Sequence, residues 1–322
     1  MIMKILITGI AGFIGFSIAN FLIKNNKNII YGLDNLDNYY SVKYKKFRIS
    51  KLNKNKNFKF IKIDITNKKK LFSFFNKNDF DVVMHFAAQA GVRYSLKNPK
   101  KYTKINKNGF ENLLNAIIKN KLPKKIIYAS SSSVYGNSKK LPTAENQKLK
   151  PENIYAKTKI QNEIFALKYK RKYNLNICGL RFFTVYGEWG RPDMFLFKLL
   201  KAYKTNRKFY LNNFGNHQRD FTYIGDIIKI LNNLIKLKLY NFDVINICAS
   251  KPVNIKKVLD KFSKDFKFKN FYLVDKNIAD VLNTHGDNKL LKKKINFKNF
   301  TEFNTGLKKT IKWYIANRIY KY

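Results

Sequence analysis

The chain has 322 residues, 45% of them hydrophobic and 16% aromatic, which suffices for one large domain or two of ordinary size and excludes a disordered or fibrous protein. Its two cysteines, Cys178 and Cys248, are too few for a disulfide framework or a cysteine-rich metal site, so we expect no metal. The formal net charge of +45 rests on 57 lysines against 8 arginines, and the lysines divide 30 to 27 between residues 1–161 and 162–322. A lysine excess this even is typical of a coding bias, so we expect no specific nucleic-acid partner.

Residues 5–23 carry no charge, a feature that signal peptides and membrane spans share. Three glycines and three polar residues interrupt the stretch, and no small-residue cleavage site follows it. The stretch therefore predicts a buried strand, a glycine turn and a helix. We expect a cytoplasmic protein without a membrane partner.

β-Branched and aromatic runs alternate with longer amphipathic runs through the first 180 residues. The predicted strands are 4–8, 29–33, 58–63, 82–86, 125–129 and 177–181. The main predicted helices are 13–24, 43–54, 101–120 and 153–173. This alternation is the pattern of an α/β fold in which helices cover both faces of a parallel sheet.

The alternation breaks into shorter segments after about residue 185, although 223–239 still predicts a helix and 244–248 a strand. No Pro/Ser-rich linker separates the two parts of the chain. We therefore predict a first domain over 1–180, whose sheet parts of 220–250 rejoin, and a smaller C-terminal lobe over 181–322.

Gly9, Gly12 and Gly15 form a G-x-x-G-x-x-G turn between the first predicted strand and the first predicted helix. Glycine lets the backbone approach a pyrophosphate closely, and the helix N-terminus offers its N–H groups to the phosphates. Asp34 ends the second strand about 20 residues after the turn, where a carboxylate binds the adenosine ribose. The first domain is therefore predicted to be a Rossmann-type doubly wound sheet that binds a dinucleotide. Since a carboxylate repels a 2′-phosphate, we expect the dinucleotide to be NAD and not NADP.

Tyr155 and Lys159 have the spacing Y-x-x-x-K inside a predicted helix, so both side chains lie on one helix face. A lysine ammonium there lowers the tyrosine pKa from its usual value of about 10, and the tyrosine can then exchange a proton with a substrate hydroxyl. The spacing alone is weak evidence in a lysine-rich chain. Ser131 strengthens it, because it lies in a serine run directly after a strand, at the sheet edge where ligands bind.

The glycine turn followed by Ser131, Tyr155 and Lys159 resembles the extended short-chain dehydrogenases. Four further motifs narrow the resemblance to the UDP-glucuronate 4-epimerase branch of the NAD-dependent epimerase/dehydratase family. These motifs are AAQAGVRYS over 87–95, GLRFFTVYG over 179–187, WGRPDM over 189–194 and QRDFTYI over 218–224. The resemblance extends over roughly residues 3–315.

The resemblance implies a role for each matching residue. The residues implied to bind NAD are Gly9, Gly12, Phe13, Ile14, Gly15, Asp34, Asp64, Ile65, Ala87, Ala88, Tyr155 and Lys159. Ser131, Tyr155 and Lys159 are implied to be catalytic. The residues implied to bind a nucleotide sugar, mainly in the C-terminal lobe, are Arg93, Ser131, Ser132, Ser133, Thr184, Arg191, Arg219 and Asp280.

Three arginines among these residues are implied to bind the charged groups of the substrate. Arg219 would bind the UDP phosphates. Arg93 and Arg191 are the candidates for the anionic sugar, because a guanidinium pairs with a carboxylate through two parallel hydrogen bonds. The alternatives are a surface loop charge for Arg93 and a loop-fixing role for Arg191.

Two residues depart from the pattern of the family. Glu188 stands where the family usually has proline, and we expect it to compete for Arg191 as an ion-pair partner. Ala279 replaces a glycine before Asp280, which puts the fit of the UDP ribose in doubt. We also expect His217 to be a surface residue.

The implied activity is epimerization at carbon 4 of UDP-glucuronate to give UDP-galacturonate, through a transient 4-keto sugar, in polysaccharide biosynthesis. A UDP-glucose 4-epimerase and a UDP-glucuronate decarboxylase are the alternatives within the fold. Decarboxylases and dehydratases usually have acids beside the catalytic hydroxyl, where this chain has Ser132 and Ser133. A non-catalytic protein that senses dinucleotides or binds nucleic acid is the alternative from another class.

Related enzymes pair two helices of each subunit into a four-helix bundle. The resemblance therefore implies a homodimer through the helices 101–120 and 153–173. The apolar residues expected at this interface are Phe110, Leu113, Leu114, Ile160, Ile164 and Leu167.

Overall fold

The computed structural model describes residues 2–275 and 281–322 and divides into two compact units. The first unit comprises Met1–Val134, Pro151–Arg181 and Ile228–Ile245. The second unit comprises Tyr135–Lys150, Phe182–Ile227 and Asn246–Tyr322. The second unit thus includes Tyr135–Lys150, which lies inside the first domain predicted from the sequence.

Short, mostly apolar runs form the strands of both units. The strands are β1 (Met3–Thr8), β2 (Asn28–Asp34), β3 (Phe58–Lys62), β4 (Val82–His85), β5 (Lys125–Ser131), β6 (Ile177–Phe182), β7 (Thr184–Tyr186), β8 (Phe209–Asn212), β9 (Gln218–Tyr223), β10 (Val244–Ile247), β11 (Pro252–Asn254) and β12 (Phe271–Val274). Each strand predicted from the sequence is present within two residues of its predicted ends.

The helices lie between these strands. They are α1 (Phe13–Leu22), α2 (Val42–Leu52), α3 (Lys68–Asn76), α4 (Val92–Lys97), α5 (Pro99–Tyr102), α6 (Gly109–Ile118), α7 (Ile154–Tyr173), α8 (Phe195–Lys204), α9 (Ile224–Lys236), α10 (Ile255–Phe266), α11 (Lys289–Ile295) and α12 (Phe303–Ala316). Asparagine side chains cap several of them, because a short side-chain oxygen can accept from a first-turn N–H. Asn67 caps α3, Asn153 caps α7 and Asn254 caps α10.

Seven strands form the central sheet in the order β10-β6-β5-β4-β1-β2-β3, and the pairs from β5 to β3 are parallel. Every residue of β4 and β6 is buried, as expected for a parallel sheet that helices cover on both faces. The prediction of a Rossmann-type α/β fold is therefore confirmed. The strand order reverses between β1 and β4, and ligands bind at the carboxyl ends of strands beside such a reversal.

The single helix predicted over 101–120 is divided in the structure. Helix α5 is followed by a π-helical turn over Thr103–Asn108, and α6 continues from Gly109. A π-helical turn widens the backbone locally and is frequent at functional sites.

Helix α6 packs on the central sheet of the first unit. Phe110, Leu113 and Leu114 are fully buried in a core cluster that includes Val83 and Ile126 of the sheet. These three side chains therefore stabilise the fold and are inaccessible to a partner, which corrects their expected place at a dimer interface.

The second unit contains two small sheets. β11, β9 and β7 form a three-stranded sheet, in which β11 is antiparallel and β7 parallel to β9. β8 and β12 form a parallel pair. The aromatic core of the second unit includes Tyr186, Phe221 and Phe303, whose ring centroids lie 4.9–5.6 Å apart.

Among residues 2–275 and 281–322, no helix combines the length and the apolar character needed to cross a bilayer. Within the same residues, no group of three His, Cys, Asp or Glu side chains is placed to hold a metal ion.

Candidate active site

The glycine turn between β1 and α1 brings backbone segments into close contact. Gly9 has a φ of +71°, and a Cβ atom at Gly9 would lie 2.6 Å from the backbone nitrogen of Ala87. A Cβ atom at Gly15 would collide with the carbonyl oxygen of Gly9. Both positions require glycine, because a side chain would force β4 or α1 away from the turn.

Helix α1 begins directly after this turn. Gly12 is its N-cap and provides no side chain to bind the N–H groups of the first turn, where Phe13 and Ile14 follow. A helix N-terminus without a side-chain cap, at the positive end of the helix dipole, is suited to bind phosphate.

Asp34 joins the end of β2 to the glycine turn. Its carboxylate accepts hydrogen bonds from the N–H of Ala11 at 3.0 Å and of Leu36 at 2.8 Å. Burial raises the pKa of Asp34 above its usual value, although the charges of Lys45 and Arg48 oppose this effect. The predicted ribose-binding carboxylate thus lies beside the turn, with two cations near it.

Sequence reasoning missed Lys45 and Arg48. Arg48 is fully buried and donates from one guanidinium nitrogen to the carbonyl of Ala11 and to the hydroxyl of Tyr40, both at 2.8 Å. Lys45 donates to the carbonyl of Asp37 at 2.6 Å. Among 57 lysines Lys45 has no distinguishing feature, whereas an arginine in an arginine-poor chain is a usable signal.

Asp64 and Ile65 follow β3 at the same edge of the sheet. Asp64 accepts from the side chains of Asn35 at 2.8 Å and Thr66 at 2.7 Å. Burial alone would raise the pKa of Asp64, but these hydrogen bonds lower it below the usual value, so the carboxylate is ionised. Ile65 is buried, and its carbonyl accepts from Asn112 at 3.2 Å.

Ala87 and Ala88 follow β4, next to the glycine turn. The N–H of Ala87 donates to the hydroxyl of Thr8 at 3.3 Å, and this hydroxyl lies 2.7 Å from Nδ1 of His85. Burial lowers the pKa of His85 to about 3, so this imidazole is neutral and serves the packing of the strand ends.

Helix α7 carries Tyr155 and Lys159, and Lys159 contacts the end of β5. Lys159 is 2% exposed, and its ammonium donates to the carbonyl of Ala129 at 2.8 Å. The ammonium lies 5.9 Å from the ring centroid of Tyr155. Burial lowers the pKa of Lys159 to about 8, and the charge of Glu163 opposes this effect. A cation is therefore held beside Tyr155 at neutral pH.

The serine run continues from β5 into a 3₁₀ turn over Ser132–Tyr135. Ser131 accepts hydrogen bonds from the hydroxyl of Ser133 at 2.9 Å and from the N–H of Ser133 at 3.2 Å. Its own hydroxyl hydrogen can then donate to a substrate oxygen. Ser131 is two residues after Ala129, which Lys159 contacts, so the predicted catalytic residues share one region of the first unit.

Asn106 in the π-helical turn is a third residue that sequence reasoning missed. Its side chain accepts from the N–H of Gln89 at 2.7 Å and donates to the hydroxyl of Thr158 at 3.1 Å. Thr158 directly precedes Lys159, so Asn106 connects the catalytic helix to the segment after β4. Nothing in the sequence distinguishes Asn106 from the other 40 of the 41 asparagines.

Arg191 lies in the second unit and forms a bidentate ion pair with Asp193. Its Nε donates to Asp193 at 2.9 Å and a terminal nitrogen at 2.5 Å. Glu188, the residue expected to compete for Arg191, instead accepts from the hydroxyl of Tyr223 at 2.7 Å. The expected ion pair between Glu188 and Arg191 is therefore wrong. Arg191 pairs with Asp193 instead, because Asp193 is only two residues away and its short side chain meets the edge of the guanidinium.

Arg219 of β9 is turned toward backbone carbonyls of the second unit. It donates to the carbonyls of Gln218 at 2.9 Å and Leu282 at 2.8 Å. Asp280, predicted near the UDP ribose, and Ala279 lie outside the described residues. His217 is 5% exposed, so its expected place at the surface is wrong.

Arg93 and Thr184 are the two remaining residues implied to bind the substrate, and they belong to different units. Arg93 is an exposed residue of α4 in the first unit. Thr184 is a half-buried residue at the start of β7 in the second unit.

The pattern of the NAD dependent epimerase/dehydratase family matches residues 5–248 of this sequence. The chain belongs to this family. The family resemblance stated from the motifs is therefore confirmed, and with it the assignment of the chain to the NAD-dependent isomerases.

Relatives extend the likeness over nearly the whole chain. An uncharacterised protein of Methanocaldococcus jannaschii is 38% identical over 319 residues, which is 98% of this chain and 97% of that protein. A UDP-glucuronate 4-epimerase of Thermodesulfobacterium geofontis is 38% identical over 96% of this chain and 95% of its own. The crystal structure of a UDP-glucuronic acid 4-epimerase from Bacillus cereus, in complex with UDP-glucuronic acid and NAD, has a TM-score of 0.91 at 30% identity and covers 98% of this chain and 100% of its own.

Proposed function

We propose that this chain is an NAD-dependent 4-epimerase that converts UDP-glucuronate to UDP-galacturonate. Similarity over nearly the full length to proteins named UDP-glucuronate 4-epimerase supports the substrate. The observation that carries the proposal is the buried ammonium of Lys159, hydrogen-bonded to Ala129 and one helical turn from Tyr155. A buried cation beside a tyrosine is the arrangement that a proton exchange with a sugar hydroxyl requires.

The first unit has the chemical groups that NAD needs. The uncapped N-terminus of α1 suits the pyrophosphate, and Asp34 suits the ribose hydroxyls. We propose that Asp64 and Ile65 line the adenine side, and that Ala87 and Ala88 pass the cofactor phosphates. Bound NAD supplies the acceptor, and afterwards the donor, of the hydride at carbon 4 of the sugar.

The chain's own residues handle the proton. Tyr155, as the phenolate that Lys159 stabilises, removes the proton from the 4-hydroxyl, and Ser131 donates a hydrogen bond to the same oxygen. After the 4-keto sugar has turned over, the hydride returns to the opposite face of carbon 4, and Tyr155 gives the proton back to the 4-oxygen. General acid–base catalysis of this kind contributes about 10²–10⁴-fold to the rate.

Arg191 is the proposed contact for the sugar carboxylate. Asp193 holds the plane of its guanidinium through two hydrogen bonds, and a substrate carboxylate would compete with Asp193 for the same donors. We propose that Thr184, Ser132 and Ser133 contact the sugar as well. The phosphates are assigned to Arg219, and Arg93 remains a second candidate for the carboxylate.

One observation favours a neutral UDP-hexose as the alternative substrate. Arg191 already has a carboxylate partner of its own in Asp193, so the protein neutralises this cation without a substrate. An enzyme that acts on UDP-glucose would need no cation for its substrate, because this sugar has no carboxylate. Ser132 and Ser133, where decarboxylases have an acid, remain an argument against the UDP-glucuronate decarboxylase.

Product identification decides between these reactions. Purified protein is incubated with UDP-glucuronate or UDP-glucose, without added NAD, and the sugar is followed by proton NMR. We expect UDP-galacturonate from the acid, no pentose, and no turnover by the control variant Tyr155→Phe. A UDP-pentose product would establish a decarboxylase, and turnover of UDP-glucose alone would establish the neutral epimerase.

Inactivity on both sugars would leave the non-catalytic alternative. A salt titration of DNA binding then tests it: a steep fall in affinity with salt, starting from micromolar binding at physiological salt, would support a nucleic-acid-binding protein. Evenly spread lysine predicts weak, non-specific binding instead.

We further propose a cytoplasmic homodimer that works in polysaccharide biosynthesis. The interface is assigned to α7, where Ile164 is 50% exposed and Ile160 and Leu167 are half-buried. An exposed isoleucine in the middle of a 20-residue helix is suited to pack against a second copy.

A further inference from the structure

A buried ion pair lies one helical turn beyond Lys159 on α7. Arg181 of β6 donates to Glu163 from Nε at 2.9 Å and from a terminal nitrogen at 2.8 Å. Their side chains are 4% and 10% exposed. Burying two charges is costly, and apolar residues of similar volume often stabilise a fold equally well. The pair therefore calls for a reason other than stability.

The pair is connected to the strand that carries the predicted catalytic serine. The hydroxyl of Ser130 donates to Glu163 at 2.6 Å, and the ammonium of Lys159 donates to the carbonyl of Ala129 at 2.8 Å. Helix α7 thus holds two consecutive residues of β5 directly before Ser131. A displacement of this strand end would displace the Ser131 hydroxyl with it.

Glu163 also acts on Lys159 through its charge. Burial lowers the pKa of Lys159 to about 8, and Glu163 is the carboxylate that opposes this shift. The other titratable groups near the two residues are Tyr155, His85, Arg181 and Tyr128.

Among these neighbours, Glu163 is the carboxylate, and it is ion-paired with Arg181. Burial keeps His85 neutral, with a pKa of about 3, and raises the pKa of Tyr128 well above its usual value. Arg181 is positive and would disfavour a second cation if Glu163 did not neutralise it. Removing the carboxylate therefore removes the support for a protonated Lys159.

We propose that Glu163 is a positioning residue for the epimerization: anchored by Arg181, it holds the end of β5 through Ser130 and keeps a negative charge one turn from Lys159. The inference rests on the proposed function for the identity of the reaction. Its two parts, anchoring and charge, act through different atoms and are separable by mutation.

Two variants separate the parts. Ser130→Ala removes the hydrogen bond to β5 but leaves the Glu163 carboxylate and its ion pair. Glu163→Gln removes the carboxylate charge, and the double variant Glu163→Gln/Arg181→Gln removes both charges of the pair. Glu302→Gln is the control, because Glu302 forms an exposed ion pair with Lys251. Thermal unfolding and retained NAD establish that each variant is folded.

The charge part is measured without any substrate. The holoenzyme is labelled with ¹³C at the lysine Cε, and the Lys159 signal is the one that is missing from Lys159→Met. We expect Lys159 to titrate at a lower pH in Glu163→Gln than in the wild type, and to shift less in the double variant, which also removes the positive charge of Arg181. Ser130→Ala and Glu302→Gln should leave its titration unchanged.

The anchoring part is measured by kinetics on UDP-glucuronate. We expect Ser130→Ala to lower kcat about tenfold or more with KM little changed, since a hydrogen bond to a carboxylate that holds the end of β5 is lost. Glu163→Gln should also move the alkaline limb of the kcat/KM profile to lower pH, whereas Ser130→Ala should not.

Three outcomes are decisive. An unchanged Lys159 titration in Glu163→Gln refutes the charge part, and a wild-type kcat in Ser130→Ala refutes the anchoring part. A wild-type enzyme without activity on UDP-glucuronate refutes the proposed function instead. In that case the Lys159 titration still decides the charge part, because it needs no substrate.

Discussion

Replacing Arg191 with alanine tests whether this residue contacts the carboxylate of the sugar. In the structure the Arg191 side chain is about a quarter exposed, and its guanidinium is paired with Asp193 through two hydrogen bonds. The carboxylate of UDP-glucuronate would exchange with Asp193 for these donors, whereas UDP-glucose has no group that could. Arg191→Ala should therefore impair the reaction of the acid selectively.

The size of the effect follows from the kind of bond that is lost. A charge-assisted hydrogen bond contributes about 1.5–3 kcal/mol, and about 1.4 kcal/mol corresponds to a factor of ten. We expect kcat/KM for UDP-glucuronate to fall roughly 10- to 150-fold. Because the substrate must compete with Asp193 in the wild type, the lower part of this range is the better expectation.

Asp193→Asn provides the matched variant. It keeps a side chain of the same shape but removes the charge that competes for Arg191, so KM for UDP-glucuronate should fall while kcat/KM for UDP-glucose stays the same. Initial rates of both sugars are measured for the wild type and both variants by coupled assay or NMR.

An equal loss on both sugars in Arg191→Ala would refute the carboxylate assignment. Together with a lower unfolding temperature, that result would show that the Arg191–Asp193 pair only stabilises its loop. The proposed substrate would then move to a neutral UDP-hexose.

Further predictions concern the cofactor, the second unit and the assembly. The purified protein should release NAD on denaturation, and Gly15→Ala should release none, because its Cβ would collide with the turn; an NAD-free wild type would contradict this. Asp220→Ala should lower the free energy of unfolding in urea by about 2 kcal/mol or more, since Gly286 and Ser250 would lose a buried acceptor at 3.0 and 3.1 Å; unchanged stability would refute it. Ile164→Lys should convert a dimer into a monomer in light scattering, and a wild type that is already monomeric would disprove the interface.

Much of the first unit could be predicted from local patterns. The strands alternate with amphipathic helices, and a parallel sheet follows from that alternation. The glycine turn and Asp34 could be recognised because they act through backbone conformation and a short spacing along the chain. Tyr155 and Lys159 share a helix face for the same reason, since their distance is set by helix geometry alone.

Predictions that depended on which face a side chain covers were less successful. Phe110, Leu113 and Leu114 are apolar, as an interface residue would be, yet α6 turns them into the core of the first unit. His217 was expected at the surface and is buried. The residue type alone does not say whether an apolar or ionisable side chain is buried or exposed, so only the packed structure distinguishes the two cases.

The sequence by itself determined the order of the elements, the position of the glycine turn and the spacing of Tyr155 and Lys159, because these depend on neighbours along the chain. The tertiary structure alone decided that Asn106 reaches Thr158 and that Glu163 joins Arg181 to the end of β5. These contacts join residues that are between 18 and 52 positions apart. Residues so far apart meet because of the way α7 packs on the sheet. The local sequence around Asn106 or Glu163, in a chain rich in lysine and asparagine, does not indicate these partners.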